Sequence, residues 1–270
     1  MISKTIHYCW FGGNPKPDLI KKCIESWKLH CPEYEIKEWN ETNFDINMCK
    51  YTKEAYKAKK YAFVSDVARL WIIYNYGGFY FDTDVELKKN IDDLTKYDAW
   101  FSADSVQYIN TGIGFGATIN NHYIKSMLDD YFHAEYTETP CTIRNTTSLR
   151  NKHPEIPYFY KTQIIDNVCF FGLKDGLGSY LRHYYTATWK TEDGKPKEGI
   201  NTDKPSKWAV IRWKIQIFFQ NPKLVKYCET HPNIFTKLYM IFTFDFLPHG
   251  FKHTFKVFKY ILTKKQKNTN

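Results

Sequence analysis

The first forty residues alternate between short apolar runs and an amphipathic segment. Residues 4–11 are apolar and β-prone, so they predict a strand that ends at Gly12–Gly13. Apolar residues then recur at helical spacing from Asp18 to about Cys31, and Asp18 is placed to cap that helix. Residues 35–39 alternate like a second strand. The pattern therefore predicts a strand, a helix and a strand in succession.

The next part of the chain continues this alternation. Residues 53–76 have helical periodicity and predict one long helix that stops at Gly77–Gly78. Further strands are predicted at 79–82, 98–102 and the Gly-rich segment 110–117, and a further helix at 120–136. Strands that alternate with helices predict an α/β fold. Ligands of such open sheets bind beyond the carboxyl ends of the strands.

Positive charge is concentrated in the last quarter of the chain. Residues 200–270 contain 13 Lys or Arg and 3 Asp or Glu, whereas the rest of the chain holds 25 basic and 26 acidic residues. The formal charge of +9 therefore comes from this region. Residues 191–207 are polar and rich in Pro and Gly, which is typical of a linker. We therefore predict a first domain at 1–200 and a basic, aromatic helical region at 201–270.

The basic region favours a membrane surface. Phe251, Phe255, Phe258 and Leu262 recur at helical spacing and are flanked by Lys252, Lys256 and Lys259. A helix with an aromatic face edged by lysines suits an anionic bilayer. The alternative is that these aromatics pack on the first domain. A basic aromatic patch also suits nucleic acid, but no nucleic-acid-binding motif accompanies it, so no such partner is expected.

The remaining composition indicates an intracellular protein. The seven cysteines are odd in number and scattered, which favours reduced thiols over a disulfide framework or a zinc cluster. The N-terminus lacks the basic and apolar segments of a signal peptide, and no apolar run of about 18 residues is present. We therefore expect a cytoplasmic protein that is peripheral to the inner face of a membrane.

The best candidates for chemistry surround the strand predicted at 79–82. Asp82 and Asp84 are two residues apart, so in a strand they share a face. Two carboxylates on one face predict a site for a hard divalent cation such as Mg²⁺ or Mn²⁺. Upstream, Asp66 and Arg69 are three apart and share a helical face. The alternatives are a solvated turn for the first pair and a helix-surface ion pair for the second.

The residues around these four positions resemble a family signature. Ser-Asp-Val-Ala-Arg at 65–69, Tyr-Gly-Gly at 76–78 and Tyr-Phe-Asp-Thr-Asp at 80–84 resemble the glycosyltransferases with a DXD motif. That family includes yeast initiating mannosyltransferases, bacterial capsule and lipopolysaccharide transferases and, more distantly, the glucosylating domain of large clostridial toxins. Residues 4–13 and, weakly, 183–189 extend the resemblance. It implies the GT-A fold for the first domain, a nucleotide-sugar-binding α/β domain with a Rossmann-like central sheet.

The resemblance also implies roles for individual residues. Asp84 would be the direct metal ligand, with Asp82 reaching the metal through water or binding the sugar, and His183 as a third ligand. Asp66 and Arg69 would contact the donor sugar and its phosphate. The implied catalytic residues are Asp66, Arg69, Asp82 and Asp84. The residues implied to bind the nucleotide sugar are Tyr8, Trp10, Phe11, Ser65, Asp66, Arg69, Asn110, Thr111, Gly112 and Trp189.

Trp10 and His183 have simpler alternatives, a core aromatic residue and an exposed histidine. Trp10 is implied to stack on the nucleobase, while the backbone of residues 8–11 reads the base edge. His183 departs from the family pattern, because Tyr184 follows it where a second His is common and Thr188 stands where Ser is usual.

The resemblance implies a metal-dependent glycosyltransferase that retains anomeric configuration. It would move a hexose or N-acetylhexosamine from a UDP-sugar, with Mn²⁺ or Mg²⁺, to a glycan or lipid-linked glycan in capsular polysaccharide or lipopolysaccharide synthesis. UDP is favoured over GDP on family frequency only. No nucleophile stands out in the sequence, and in retaining transferases the donor's own phosphate can act as the base. The alternatives are a toxin-like protein glucosyltransferase and a non-catalytic protein of the same fold that binds membranes or sugar nucleotides.

Overall fold

The computed structural model describes residues 1–103, 105–156, 158–173 and 176–186, together with a few isolated positions between 227 and 239. The chain divides into two compact units, Met1–Ile200 and Asn201–Asn270. The predicted linker and the predicted basic helix lie outside the described residues, so the functions assigned to the two domains stay predictions. Within the described residues, no helix combines the length and hydropathy needed to cross a membrane.

The described part of the first unit is built from strands and helices in alternation. The strands are β1 Thr5–Cys9, β2 Glu35–Trp39, β3 Gly78–Tyr80, β4 Val85–Leu87, β5 Ala99–Ser102, β6 Phe115–Ala117, β7 Gln163–Ile165, β8 Val168–Phe171 and β9 Leu181–His183. The helices are α1 Asp18–His30, α2 Lys50–Lys57, α3 Tyr61–Tyr76, α4 His122–His133 and α5 Cys141–Lys152.

Seven strands form one mixed sheet in the order β2-β1-β3-β6-β5-β8-β7. The pairs β1–β2, β1–β3 and β5–β8 are parallel, whereas β6 is antiparallel to both of its neighbours and β7 is antiparallel to β8. This largely parallel arrangement confirms the predicted α/β fold class with a Rossmann-like central sheet. A separate two-stranded sheet pairs β4 with β9.

Three predicted elements are corrected by the structure. The helix predicted over 53–76 is the two helices α2 and α3, because Lys59 between them adopts a φ of +58°, outside the right-handed helical region. The strand predicted over 110–117 is confined to β6, since residues 111–113 form a turn. Asp18 does not cap α1; Pro17 holds that position, and the exposed Asp18 side chain pairs with Lys21.

Helix α3 carries the charged residues of interest into the interior. It packs against β1 and β3 of the sheet and against α2 and α4. Because it is covered on several sides, nine of its sixteen residues are buried, and two of those nine are Asp66 and Arg69. Charged side chains are rarely buried unless they are paired, so both need partners of opposite charge in the interior.

Two glycines connect α3 directly to β3. Gly77 and Gly78 have φ values of +65° and +94°, which a residue with a side chain adopts only with strain. A Cβ on Gly78 would also lie 2.6 Å from the carbonyl oxygen of Thr5 in β1. The Gly-Gly pair therefore lets the chain leave the helix and enter the sheet within two residues.

A buried imidazole joins this connection to the sheet. His7 Nε2 donates to the Gly77 carbonyl at 3.1 Å, and Trp39 Nε1 donates to His7 Nδ1 at 3.0 Å. Both bonds are satisfied by the neutral ring that carries its proton on Nε2. Burial, with a smaller contribution from Lys37, lowers the pKa of His7 to about 4.

This pKa predicts an acid-dependent loss of stability. The unfolded chain protonates His7 near pH 6.5 but the folded chain only near pH 4, so stability falls as the pH drops between these values. The loss should reach about 3 kcal/mol, since one pKa unit corresponds to about 1.4 kcal/mol. We expect the unfolding free energy of wild type to decline relative to His7→Gln between about pH 7 and pH 4 in urea titrations. A pH-independent difference between the two proteins would contradict this assignment.

Candidate active site

The two predicted metal-binding carboxylates lie in the turn between β3 and β4. Strand β3 ends at Tyr80, β4 begins at Val85, and the Val85 N–H donates to the Asp82 carbonyl at 3.1 Å. The expectation that Asp82 and Asp84 share one face of a strand is therefore wrong. Their side chains have different partners, one on each side of the turn.

Asp82 is joined to α3 through a bridging guanidinium. Arg69 Nη2 lies 3.1 Å from an Asp66 oxygen and 3.1 Å from an Asp82 oxygen. The Arg69 side chain is 3% exposed, that of Asp66 9% and that of Asp82 31%. Arg69 Nε also donates to the Ser65 carbonyl at 3.1 Å, which holds the side chain along its own helix. The pair on α3 is thus a buried bridge to the DXD turn rather than an exposed helix-surface pair.

Tyr80 completes this bridge and was missed by the sequence reasoning. Its hydroxyl donates to Asp82 Oδ1 at 3.0 Å, and its ring centre lies 5.0 Å from the Arg69 guanidinium carbon. A cation over an aromatic face is attracted by the ring electrons. Its sequence position was the one clue to this contact, since Tyr80 precedes Asp82 by two residues within the motif.

The pKa values of Asp66 and Asp82 are raised, whereas that of Asp84 is lowered. Burial raises the pKa of Asp66 to about 6 and also raises that of Asp82, although Arg69 opposes both shifts. Burial acts in the same direction on Asp84, but His183 and the hydrogen bonds from Thr186 outweigh it and lower the pKa of Asp84 to about 2. Asp84 is therefore ionised throughout the physiological range.

The environment of Asp84 comes from the β4–β9 sheet. His183 pairs with Val85 in this sheet, and its Nε2 lies 3.1 Å from Asp84 Oδ1. The backbone N–H and the hydroxyl of Thr186 both donate to Asp84 Oδ2, at 2.9 and 2.8 Å. The structure thus places His183 against Asp84 and adds Thr186, which carries no recognisable sequence signal.

Asp82, Asp84 and His183 offer the donor types that a divalent cation needs. Two carboxylates and an imidazole suit Mn²⁺ or Mg²⁺ at least in ligand type, since carboxylates are preferred by both and imidazole is acceptable to Mn²⁺. Across the described residues, no group of three or more His, Cys, Asp and Glu side chains is already arranged to hold an ion. Instead, His183 contacts Asp84 directly. The donor types fit a cation, and the ligand set of Asp82, Asp84 and His183 stays a prediction.

The predicted sugar-pocket segment at residues 110–112 lies against this carboxylate turn. The Asp82 N–H donates to the Gly112 carbonyl at 3.1 Å, and the Gly112 N–H donates to Asn110 Oδ1 at 2.8 Å. Thr111 is buried, and its hydroxyl accepts from Asn145 Nδ2 at 3.0 Å. Segment 110–112 therefore touches Asp82 through its backbone and α5 through Thr111.

Because Gly112 has no side chain, its backbone can lie against the Asp82 carboxylate, and an added methyl group should disturb that contact. A Cβ at Gly112 would lie 2.5 Å from Asp82 Oδ2 and 3.2 Å from Arg69 Nη1. Gly112→Ala should therefore displace the Asp82 carboxylate and lower the unfolding free energy by about 1–3 kcal/mol, the usual cost of overpacking. Gly178→Ala is the matched control, because a Cβ there meets nothing within 4 Å. Equal urea midpoints for the two variants would show that the turn accommodates the methyl group.

The residues predicted to bind the nucleobase differ in accessibility. Trp10 is half-buried, and its indole Nε1 donates to the Asn14 carbonyl at 2.7 Å. Tyr8 and Phe11 are buried, Tyr8 against Trp27 and Phe11 against Phe44. Of these three rings, that of Trp10 is the one a base could reach.

Two further residues, Ser65 and Trp189, were predicted to bind the donor, and the structure describes Ser65. Ser65 is half-buried, and its hydroxyl donates to the Tyr61 carbonyl at 3.1 Å. Trp189, like Thr188, lies outside the described residues. The roles of Ser65 and Trp189 stay predictions.

Helix α5 adds side chains that the sequence reasoning did not single out. Cys141, its first residue, has its sulfur 3.9 Å from Arg69 Nη1 and also contacts Asp66. Asn145, one turn later, is fully buried against Thr111. Because α5 is largely polar, its sequence lacks the apolar periodicity that would have predicted a helix packed on the site.

Comparisons with known proteins found one family match, a curated relative and a solved structure. Residues 17–101 match the family described as the glycosyltransferase sugar-binding region containing the DXD motif. Inositol phosphoceramide mannosyltransferase 3 of Schizosaccharomyces pombe is 29% identical over 123 residues, which is 42% of this chain and 32% of that protein. The chain thus spans about a third of the length of this curated relative. The solved structure titled PaToxG Glycosyltransferase has a TM-score of 0.42 and 18% identity, covering 57% of this chain and 70% of that one.

Proposed function

We propose that this protein transfers a sugar from a nucleotide-sugar donor. Residues 17–101 match the sugar-binding region of the DXD-motif glycosyltransferases, in agreement with the predicted resemblance. The specific proposal is a metal-dependent retaining enzyme that moves a hexose or N-acetylhexosamine from a UDP-sugar to a glycan acceptor, in capsular polysaccharide or lipopolysaccharide synthesis. The observation that carries the proposal is the buried bridge from Asp66 through Arg69 to Asp82.

The bridge supports recognition of sugar hydroxyls. An ionised carboxylate offers about four acceptor positions, and Arg69 occupies only part of this capacity on Asp66 and Asp82. A sugar hydroxyl can therefore donate to either carboxylate, while the guanidinium supplies a positive charge for the phosphate. Polar groups in such a buried site discriminate strongly against ligands that leave them unpaired.

Asp84 supports a role beside the leaving group. When bound, Mn²⁺ or Mg²⁺ would stabilise the negative charge that develops on the departing nucleoside diphosphate. Asp84 would hold the ion, together with Asp82 and His183. Thr186 contributes by keeping the Asp84 carboxylate oriented and ionised through its two hydrogen bonds.

Donor hydrolysis tests the proposal most directly. Purified protein would be incubated with Mn²⁺ and a panel of UDP- and GDP-sugars, and released nucleoside diphosphate would be measured with and without EDTA. GDP-mannose belongs in the panel, because the yeast relative is named as a mannosyltransferase. We expect slow, EDTA-sensitive hydrolysis of one donor. If no donor is hydrolysed and calorimetry detects no binding of any nucleotide sugar, the enzyme proposal is overturned and a non-catalytic, membrane-binding protein is favoured.

We also propose that the basic region at 201–270 holds the protein on the cytoplasmic face of an anionic membrane, where a lipid-linked glycan acceptor would be found. The support is the charge asymmetry of the chain. Neutralising three lysines of the predicted helix should weaken binding to anionic vesicles about a hundredfold, because each surface-adjacent lysine contributes about 1 kcal/mol. The three substitutions are Lys252→Gln, Lys256→Gln and Lys259→Gln.

Vesicle co-sedimentation of the full chain measures this effect. The control carries three exposed lysines of the first unit changed in the same way, Lys21→Gln, Lys28→Gln and Lys125→Gln. Equal losses in the two triple variants would indicate a general effect of net charge and would contradict attachment through the predicted helix.

A further inference from the structure

Tyr185 is an exposed aromatic residue beside Asp84 that has no role in the site described above. It is 57% exposed, whereas Tyr184 and Thr186 on either side are buried. The Tyr184 N–H donates to the Asp84 carbonyl at 3.0 Å, and Thr186 donates twice to the Asp84 carboxylate. Both neighbours are thus tied to Asp84, and the exposed Tyr185 side chain lies between them.

The backbone conformation of Tyr185 is unfavourable for a tyrosine. Its φ is +52°, in the left-handed region where Gly and Asn are tolerated and a bulky side chain is strained. Strain of this kind persists where the surrounding structure enforces it, and it concentrates at functional sites. Gly or Asn would adopt this φ more easily, so the backbone geometry does not account for the aromatic ring.

The ring is supported from one side by the imidazole of His183. The two ring centres are 4.0 Å apart with an angle of 53° between the planes. His183 in turn contacts Asp84 at 3.1 Å. The exposed surface of Tyr185 is therefore held close to the carboxylate that we place beside the leaving group.

We propose that Tyr185 is an acceptor-binding residue, a platform on which a pyranose ring of the acceptor glycan stacks. This inference rests on the proposed function. The buried pair of Asp66 and Arg69 suits the donor sugar, whereas Tyr185 can be reached from solvent by a second substrate. A flat aromatic surface with a polar tip packs against the apolar C–H face of a sugar while leaving its hydroxyls hydrated.

Two substitutions separate the ring from the backbone. Tyr185→Phe keeps the aromatic surface. Tyr185→Asn removes it, and Asn suits the positive φ, so the backbone here is expected to keep its conformation. Circular dichroism and urea unfolding of the full-length variants establish that the fold is retained.

The test measures binding of a simple pyranose probe. Methyl glycosides of glucose, galactose, mannose and N-acetylglucosamine would be titrated by saturation-transfer NMR, with and without UDP and Mn²⁺. We expect at least one glycoside to bind wild type and Tyr185→Phe equally, and Tyr185→Asn about tenfold more weakly, which corresponds to about 1.4 kcal/mol. The affinity for UDP, measured by calorimetry, should stay within about twofold in all three proteins.

Three results would overturn the proposal that Tyr185 binds the acceptor. Equal glycoside affinity in all three proteins would show that the ring takes no part, and so would failure of every glycoside to bind wild type. A loss of UDP affinity in Tyr185→Asn with glycoside binding retained would assign the ring to the donor's base. Failure of the proposed function itself is distinct, since it would appear as wild-type protein that neither binds nor hydrolyses any nucleotide sugar.

Discussion

Replacing Asp84 with Asn is expected to lower nucleotide-sugar turnover at least about a thousandfold, a loss of about 4 kcal/mol in transition-state stabilisation. The substitution removes the charge that we assign to the cation, at a position whose environment keeps the carboxyl ionised. Asn has the same shape, and its amide oxygen can still accept from Thr186, so the protein should stay folded.

Donor hydrolysis at saturating Mn²⁺, together with Mn²⁺ binding by calorimetry, measures this effect. Asp18→Asn is the control, because it makes the same chemical change on a fully exposed carboxylate of α1. Turnover and Mn²⁺ affinity should both fall in the first variant and neither in the second. Undiminished turnover in Asp84→Asn would remove the central claim for this site.

Arg69→Met should have the largest effect on stability, a loss of about 3–5 kcal/mol in unfolding free energy, as is typical when one partner of a buried ion pair is removed. The reason is that Asp66 and Asp82, which share the guanidinium, would be left without a cation between them. Lys125→Met is the control, because Lys125 pairs with Asp129 on an exposed helix face, where a pair contributes about 0.3–0.5 kcal/mol.

The pH dependence of the Arg69 variant supplies an independent check. Burial already raises the pKa of Asp66 to about 6, and losing the guanidinium should raise it further. The variant then takes up the proton at a higher pH than wild type does, so the penalty should shrink as the pH falls towards about 6 and stay constant below it. Urea titrations at about pH 8 and pH 5 measure this change. A penalty that is small, or equal at both pH values, would contradict a buried carboxylate pair.

Local pattern predicted the N-terminal half of the fold well. Strand β2 at Glu35–Trp39 has the bounds that its alternation indicated, and α1 at Asp18–His30 follows its apolar spacing. The break between α2 and α3 could not be predicted, because the left-handed residue there is Lys59 and no Gly or Pro marks it. Strands β4 and β9 are three residues each, too short for a periodic signal.

The sequence indicated residues that the structure brings together, but the strand geometry assumed for Asp82 and Asp84 is wrong. Asp66, Arg69 and Asp82 do converge. Asp82 and Asp84, however, lie in the turn after β3 rather than on one strand face. Spacing could indicate that Asp66 and Arg69 share a face, yet their burial depends on α2, α4 and the sheet covering α3. Contacts from Cys141 are long-range in sequence, and no local pattern encodes them.

The two hydrogen bonds between Thr186 and Asp84 join residues that are 102 positions apart. Closing so long a loop carries an entropic cost that local contacts do not share, and contacts of large sequence separation slow folding. During synthesis, the DXD turn leaves the ribosome well before the segment that orients its second carboxylate. A nascent chain can therefore form β1, α1 and β2 early, but it cannot complete the environment of Asp84 until residue 186 has emerged. Because residue 186 is made late, the site is completed near the end of this domain's synthesis.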